Sequence, residues 1–198
     1  MKQGELPLKT WGGKRKGAGR KPNAAKAGVT HLRRAPLAAR HPVHVTVRVV
    51  DGVGYLRAQS RAKAIERALA AAGARFGMRV VHYSIQGNHL HLIVEAGDGR
   101  ALSRGMQGFQ IRAARALNRL AGRGGRVFAD RFHAHVLSTP REAARAVRYV
   151  LRNYRHHARE ALPARWEDPF SSAREDAPVA APRTWLLRVG WRLPAAAG

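Results

Sequence analysis

Two β-rich runs, MRVVHYSIQ and HLHLIVEA, meet at Gly87-Asn88. A glycine and an asparagine between apolar runs of this length signal a hairpin even in this reversed order. An antiparallel strand pair is thereby set in the middle of the chain, and every other element has to pack on it. Before the pair, HPVHVTVRVV from His41 alternates and is β-branched, which predicts a strand. Arg57 to Phe76 carries alanine and charge at helical spacing. After the pair, Arg100 to Ala121 is helical, Val127 to Leu137 reads as a strand, and Ser138-Thr139-Pro140 opens a last helix with Thr139 as N-cap and Pro140 in its first turn. The order β-α-β-β-α-β-α predicts an α+β fold. It is a ferredoxin-like split βαβ antiparallel sheet with helices on one face and an added C-terminal helix, the one that carries Tyr149.

Charge narrows the partners. Lys and Arg number 37 against 12 Asp and Glu, a formal net charge of +25, and such an excess repels itself unless a polyanion neutralises it. Nucleic acid fits better than an anionic membrane, because the basic residues are spread along the chain and not gathered on one amphipathic helix. The chain has no cysteine, which excludes disulfides and thiolate zinc sites. No apolar run reaches the length of a membrane span and the first residues lack a signal-peptide core, so a cytoplasmic location is expected. Residues 1–40 are polar, glycine-rich and basic, with Glu5 the single acid. They predict a flexible basic tail, either a DNA-binding one in which Arg20 and Lys21 meet phosphates or a minor groove or a solvated one without sequence preference. Residues 41–157 hold the periodic elements and form the folded domain. Residues 158–198, interrupted by prolines and anchored by Trp166, Phe170, Trp185 and Trp191, wrap it irregularly.

Within the second hairpin strand, His89 and His91 fall on one face while Leu90, Leu92 and Val94 fall on the other. Two imidazoles two residues apart suit two ligands of one metal ion, although an HxH triplet by itself also describes two surface histidines. On the last helix, Val147, Val150, Leu151 and Tyr154 share one side, with Tyr149 and Asn153 together on the opposite, polar side. Tyr154 is thus the structural tyrosine, and Tyr149 the one whose position asks for a use. His44, His133, His135, His156 and His157 read as packed or surface residues that can also border a site.

The segment GNHLHLIVEA, followed some sixty residues later by RYVLRNYRHH, resembles the single-tyrosine HUH transposases, especially the REP-associated tyrosine transposases. RVFADRFHAHVLSTPRE is similar to that group too, and the resemblance spans His41 to His157. It implies that His89 and His91 are catalytic and hold a divalent metal, Mg²⁺ or Mn²⁺. It further implies that Tyr149 is the nucleophile and that Asn153 stands at a third metal-ligand position. Mobile-element members often carry glutamine there. Asparagine is shorter by one methylene, which leaves direct coordination, a water-mediated contact and an orienting role all open. The implied activity is cleavage and rejoining of single-stranded or hairpin DNA through a 5′-phosphotyrosine. Whether one chain completes the site, or a homodimer does so by exchanging the tyrosine helix, stays open.

Arginines supply the rest of the DNA surface in this reading. Arg112, Arg115, Arg119 and Arg123 recur at helical spacing with no acid among them, and Arg148 and Arg152 lie on the last helix. The competing function is a non-catalytic nucleic-acid-binding protein, for instance an RNA-binding module on the same fold. It accounts for charge and fold but not for the coincidence of His89, His91, Tyr149 and Asn153, and stacking aromatics are not evident on the open strands. A barrel hydrolase using HxH needs more chain and more acidic ligands than are present.

Overall fold

A computed structural model describes residues 36–72, 75–157, 162–163 and 166–193. Four strands, β1 (Val43–Arg48), β2 (Met78–Ile85), β3 (His89–Ala96) and β4 (His133–Val136), form one antiparallel sheet in the order β2-β3-β1-β4. Helices α1 (Gln59–Ala72) and α2 (Gly99–Leu120) connect the strands as the split βαβ reading requires. Helix α3 (Pro140–His157) follows β4, and a short helix α4 (Trp185–Arg188) lies near the C-terminus.

Alternation in the strands sorts side chains to two faces. Val43, Val45, Val47, Leu90, Leu92, Val94, Met78, Val80, Tyr83 and Ile85 point to one side and pack with Ile65 and Leu69 of α1 and with Leu102, Met106, Phe109 and Leu117 of α2. This is the main core. Helix α2 can approach β2 closely because residue 105 is glycine; a Cβ there would lie 2.5 Å from the Cβ of Met78.

The added helix takes the other face. Val147 and Val150 of α3 pack with Val81, Ile93, Leu137 and Leu187 in a second, smaller cluster. A bulge in β2 sets Val81 beside His82 opposite Ile93, which widens that cluster.

The hairpin closes at Gly87-Asn88, with Gln86 N donating to His89 O at 2.8 Å. Neither turn residue has positive φ, so the glycine answers a different need. A Cβ on it would lie 2.9 Å from the ring of Tyr55.

Beyond α3 the chain runs along the free edge of β2. Ile85 N donates to Phe170 O, Ser172 N to Tyr83 O and Ala180 N to Val80 O, all within 2.9 Å, so an edge that would otherwise expose unpaired amides is covered. Among the described residues no helix is long and apolar enough to cross a membrane.

Strand β4 is shorter than the sequence predicts. The expected run from Val127 contributes only an isolated bridge, Val49 to Phe128, before His133. Val127 and Phe132 are instead buried one at a time from irregular chain.

Candidate functional site

On the α3 side of the sheet, β3 presents His89 and His91. Their Nε2 atoms stand 3.1 Å apart, with ring planes nearly perpendicular. Asn88 Oδ1 lies 2.9 Å from His89 Nδ1. An amide oxygen only accepts, so that nitrogen carries the proton and the Nε2 lone pair of His89 faces His91.

The neighbouring strand completes the setting. Thr46 pairs with His91 across the β1–β3 ladder, and its Oγ1 is 3.2 Å from His91 Nδ1. His44 Nε2 is also 3.2 Å from that nitrogen. Burial, reinforced by His135 and His133 on β4, lowers the His44 pKa from 6.5 to about 4, so its imidazole is neutral at pH 7. His91 is buried, whereas His89 is half-exposed at the rim.

Helix α3 brings the tyrosine. Its start is fixed by a capping box: Glu142 N donates to Thr139 Oγ1, and Glu142 Oε2 accepts from Ser138 N, Ser138 Oγ and Thr139 N. These hydrogen bonds, the Ser138 hydroxyl first, hold the Glu142 carboxyl below its usual pKa. Val147 and Val150 then dock on Ile93. This phase of the helix sets the Tyr149 ring 5.0 Å from the His91 ring and 5.9 Å from that of His44, edge to face in both cases. Tyr149 remains 43% exposed.

Asn153 differs from its sequence-predicted setting. It lies only about 40° further round the helix than Tyr149, yet it is completely buried, and among the described residues neither atom of its amide has a hydrogen-bond partner. The polar face narrows here to Tyr149 and the arginines. Tyr154 is held elsewhere, beneath the Arg57 guanidinium at 3.6 Å and beside Trp166. Arg57 is itself fixed by a bidentate pair with Asp168 and by the carbonyl of Ile85.

The arginines do not gather in one place. Arg148 and Arg152 are exposed on α3, the helix of the histidine face. Arg115 and Arg119 are exposed on α2, on the far side of the sheet. Arg112 folds back to Gly108 O, and Arg123 donates to Arg126 O. The sheet separates the two sets, so the DNA surface expected from the sequence is divided between two sides of the molecule. Arg20 and Lys21 lie outside the described residues, as do the side chains of His156 and His157.

Thr46 and Asn88 are members of this setting that the sequence reading passes over, and His44 is drawn in further than expected. Thr46 and His44 are revealed only by the strand register, whereas Asn88 adjoins His89 in the turn. Among the described residues, no group of three or more His, Asp or Glu is placed to hold a metal ion.

No protein-family model matches the chain, and no curated protein matches it. Solved structures do. The chain is similar to the REP-associated tyrosine transposase bound to a REP hairpin, with 16% identity over 72% of this chain and 82% of that one and a TM-score of 0.56. A transposase-like protein of Deinococcus radiodurans R1 aligns at 14% identity over 63% of this chain and 95% of that one, with a TM-score of 0.42. The resemblance seen in the sequence thus extends to the architecture, and the fold of this chain is that of the REP-associated tyrosine transposase.

Proposed function

We propose that the protein is a single-tyrosine transposase, an endonuclease and strand transferase acting on single-stranded or hairpin DNA. The observation that carries the reading is the juxtaposition of the Tyr149 ring, 5.0 Å from His91, with the His89–His91 pair. The fold shared with a transposase that binds a REP hairpin supports it.

The chemistry starts at a weak nucleophile. A phenol with a pKa of roughly 10 is mostly protonated at neutral pH, so attack on a phosphodiester requires an electrophilic phosphorus and a sink for the proton. In this reading the Tyr149 oxygen bonds to phosphorus, the bond from phosphorus to the 3′ oxygen breaks, and a proton reaches that oxygen to give a free 3′-OH. The 5′ phosphate stays on the tyrosine as an ester. A 3′-OH from another strand reverses the step and seals a new junction without ATP.

The histidine pair fits a divalent cation. Two imidazole nitrogens that converge to 3.1 Å suit two ligands of one ion. The orphaned amide of Asn153 offers a third, oxygen donor. His89, His91 and Asn153 would hold Mg²⁺ or Mn²⁺, which supplies positive charge against the phosphate and the departing oxygen. Asn88 and Thr46 orient the two rings, and half-buried, neutral His44 adds no competing charge beside them. Arg148 and Arg152, exposed on the same helix as Tyr149, meet the flanking phosphates.

Incubation of the protein with single-stranded hairpin DNA and Mn²⁺ is expected to yield a covalent protein–DNA adduct visible on a denaturing gel. Tyr149→Phe should reduce the adduct to background and retain DNA binding. Loss of the adduct in Tyr154→Phe but not in Tyr149→Phe would reassign the nucleophile. The absence of adduct with any divalent ion, alongside tight RNA binding, would replace the enzyme by a binding module.

A further inference from the structure

The working face of β3 continues past the histidines. His89, His91, Ile93 and Glu95 alternate with the core residues, and Glu95 lies about 13 Å along the strand from His91 at ~3.3 Å per residue. There a cleft of about 410 Å³ opens, lined by Arg40, Arg79, Glu95, Arg183, Thr184 and Trp185 among others.

Its single acid faces inward. Glu95 is 3% exposed, and its carboxylate accepts from Arg183 N, Thr184 N and Thr184 Oγ1, with the Arg79 guanidinium 3.5 Å away. The carboxylate is used to fix the 183–185 corner, which leaves the guanidiniums of Arg40 and Arg183 exposed around the opening. Trp185 stands beside them, 55% exposed. One side of the indole rests on Gly190, where a Cβ would come within 2.8 Å of the ring. A large aromatic pinned on one side and open on the other, ringed by cations, fits a nucleobase with its phosphate.

We infer that this cleft is a nucleotide subsite for single-stranded DNA, with a base stacked on Trp185 and its phosphate held by Arg40, Arg79 and Arg183. The inference rests on the proposed action on single-stranded DNA and extends it to a second point of grip. Residues 1–35, which precede Arg40 in the sequence, are themselves basic and are therefore a poor occupant.

The test is fluorescence anisotropy of an unstructured 15-nucleotide oligodeoxythymidine with the full chain in EDTA, where no cleavage occurs. Trp185→Ala should weaken binding about 5- to 150-fold, the range for one base–aromatic stack, while Trp185→Phe restores most of it. Affinity for a duplex of equal length should change less than about twofold, since a stacked duplex offers no free base to the indole. Arg183→Ala should lower the salt dependence by about 0.7, the share of one single-strand phosphate. In the wild-type protein, irradiation of a 5-iodouracil-substituted strand should crosslink to the peptide containing Trp185, a readout that does not depend on how any variant folds. Unchanged single-strand affinity in Trp185→Ala, equal losses on single strand and duplex, or crosslinks confined to other peptides would each overturn the subsite. Trp185-dependent binding without a Tyr149 adduct would sink the cleavage reading and leave the subsite standing. The reverse result would sink the subsite alone.

Discussion

The two faces of the sheet are built from alternate residues of the same strands, yet they are different materials. Toward α1 and α2 the interior is continuous and apolar, from Val43 to Phe132, and its largest polar intrusion, Tyr83, sends its hydroxyl out to Glu66 Oε1 at 2.8 Å. Toward α3 the apolar cluster is small. Buried His91, Glu95, Ser84, Gln86 and Asn153 are interspersed with it or lie close by. The first face holds the fold together, and the second tolerates desolvated polar groups that a stability-optimised interior would replace. A β-sheet allows the division because a period of two keeps neighbouring side chains apart.

The division is broken if the apolar face proves to govern chemistry directly. Phe109 is fully buried against the sheet from α2, and Phe109→Ala should cost about 3–5 kcal/mol by lost burial and the cavity left behind. Urea denaturation measures that loss. The surviving folded fraction, assayed at low temperature, should form the Tyr149 adduct at a near-normal rate. A specific collapse of the rate in folded protein would mean that the two faces are mechanically coupled.

A smaller effect is expected at the outer strand of the histidine face. His82 is mostly buried, with Nδ1 3.3 Å from Ser172 Oγ, and burial lowers its pKa from 6.5 to about 4. Above pH 6.5 neither the folded nor the unfolded form carries the proton, and the folded state has its full stability. Between 6.5 and 4 the unfolded chain takes up a proton that the folded one refuses, so stability falls with falling pH. At pH 5 the loss is about 2 kcal/mol, the product of ~1.5 pH units and 1.36 kcal/mol per unit. Denaturation midpoints at pH 7.5 and pH 5 in EDTA should diverge in the wild type and diverge less in His82→Gln. Equal divergence in both would place the acid sensitivity at another group.

How the sequence disclosed this layout follows from the same alternation. HLHLIVEA separates its two faces at sight, and the capping signal at Thr139 marks the start of α3 within a residue. What pairs with what is another matter. His44 and Thr46 join His91 only because β1 meets β3 in the register Thr46↔His91, and local spacing does not encode an inter-strand register. The burial of Asn153 was hidden as well, since an amide three residues after Val150 reads as polar whichever neighbour covers it. Trp185, expected as an anchor, is largely exposed, whereas Trp191 and Phe170 do pack against the two cores. Hydrophobicity alone does not tell a packed indole from one offered to a ligand.

Asn153 gives the sharpest test of the contrast, although its energetic effect is the smallest. An amide fully buried without a partner costs the folded state about 1–3 kcal/mol relative to a satisfied one. Asn153→Leu keeps the number and branching of the side-chain heavy atoms, with bulkier methyl ends, and removes that penalty. On stability grounds it should be neutral or stabilising by about 1 kcal/mol, read as an upward shift of the urea midpoint with an unchanged slope. On functional grounds it should depress Mn²⁺-dependent adduct formation and raise the Mn²⁺ concentration needed for half-maximal rate, because the oxygen proposed as a third metal ligand is gone. The two effects have opposite signs, and a residue retained only for packing cannot produce both. If Asn153→Leu destabilised the protein and left the metal dependence unchanged, the amide would be an ordinary structural group bound to water, and the histidine face would have to work with two protein ligands alone.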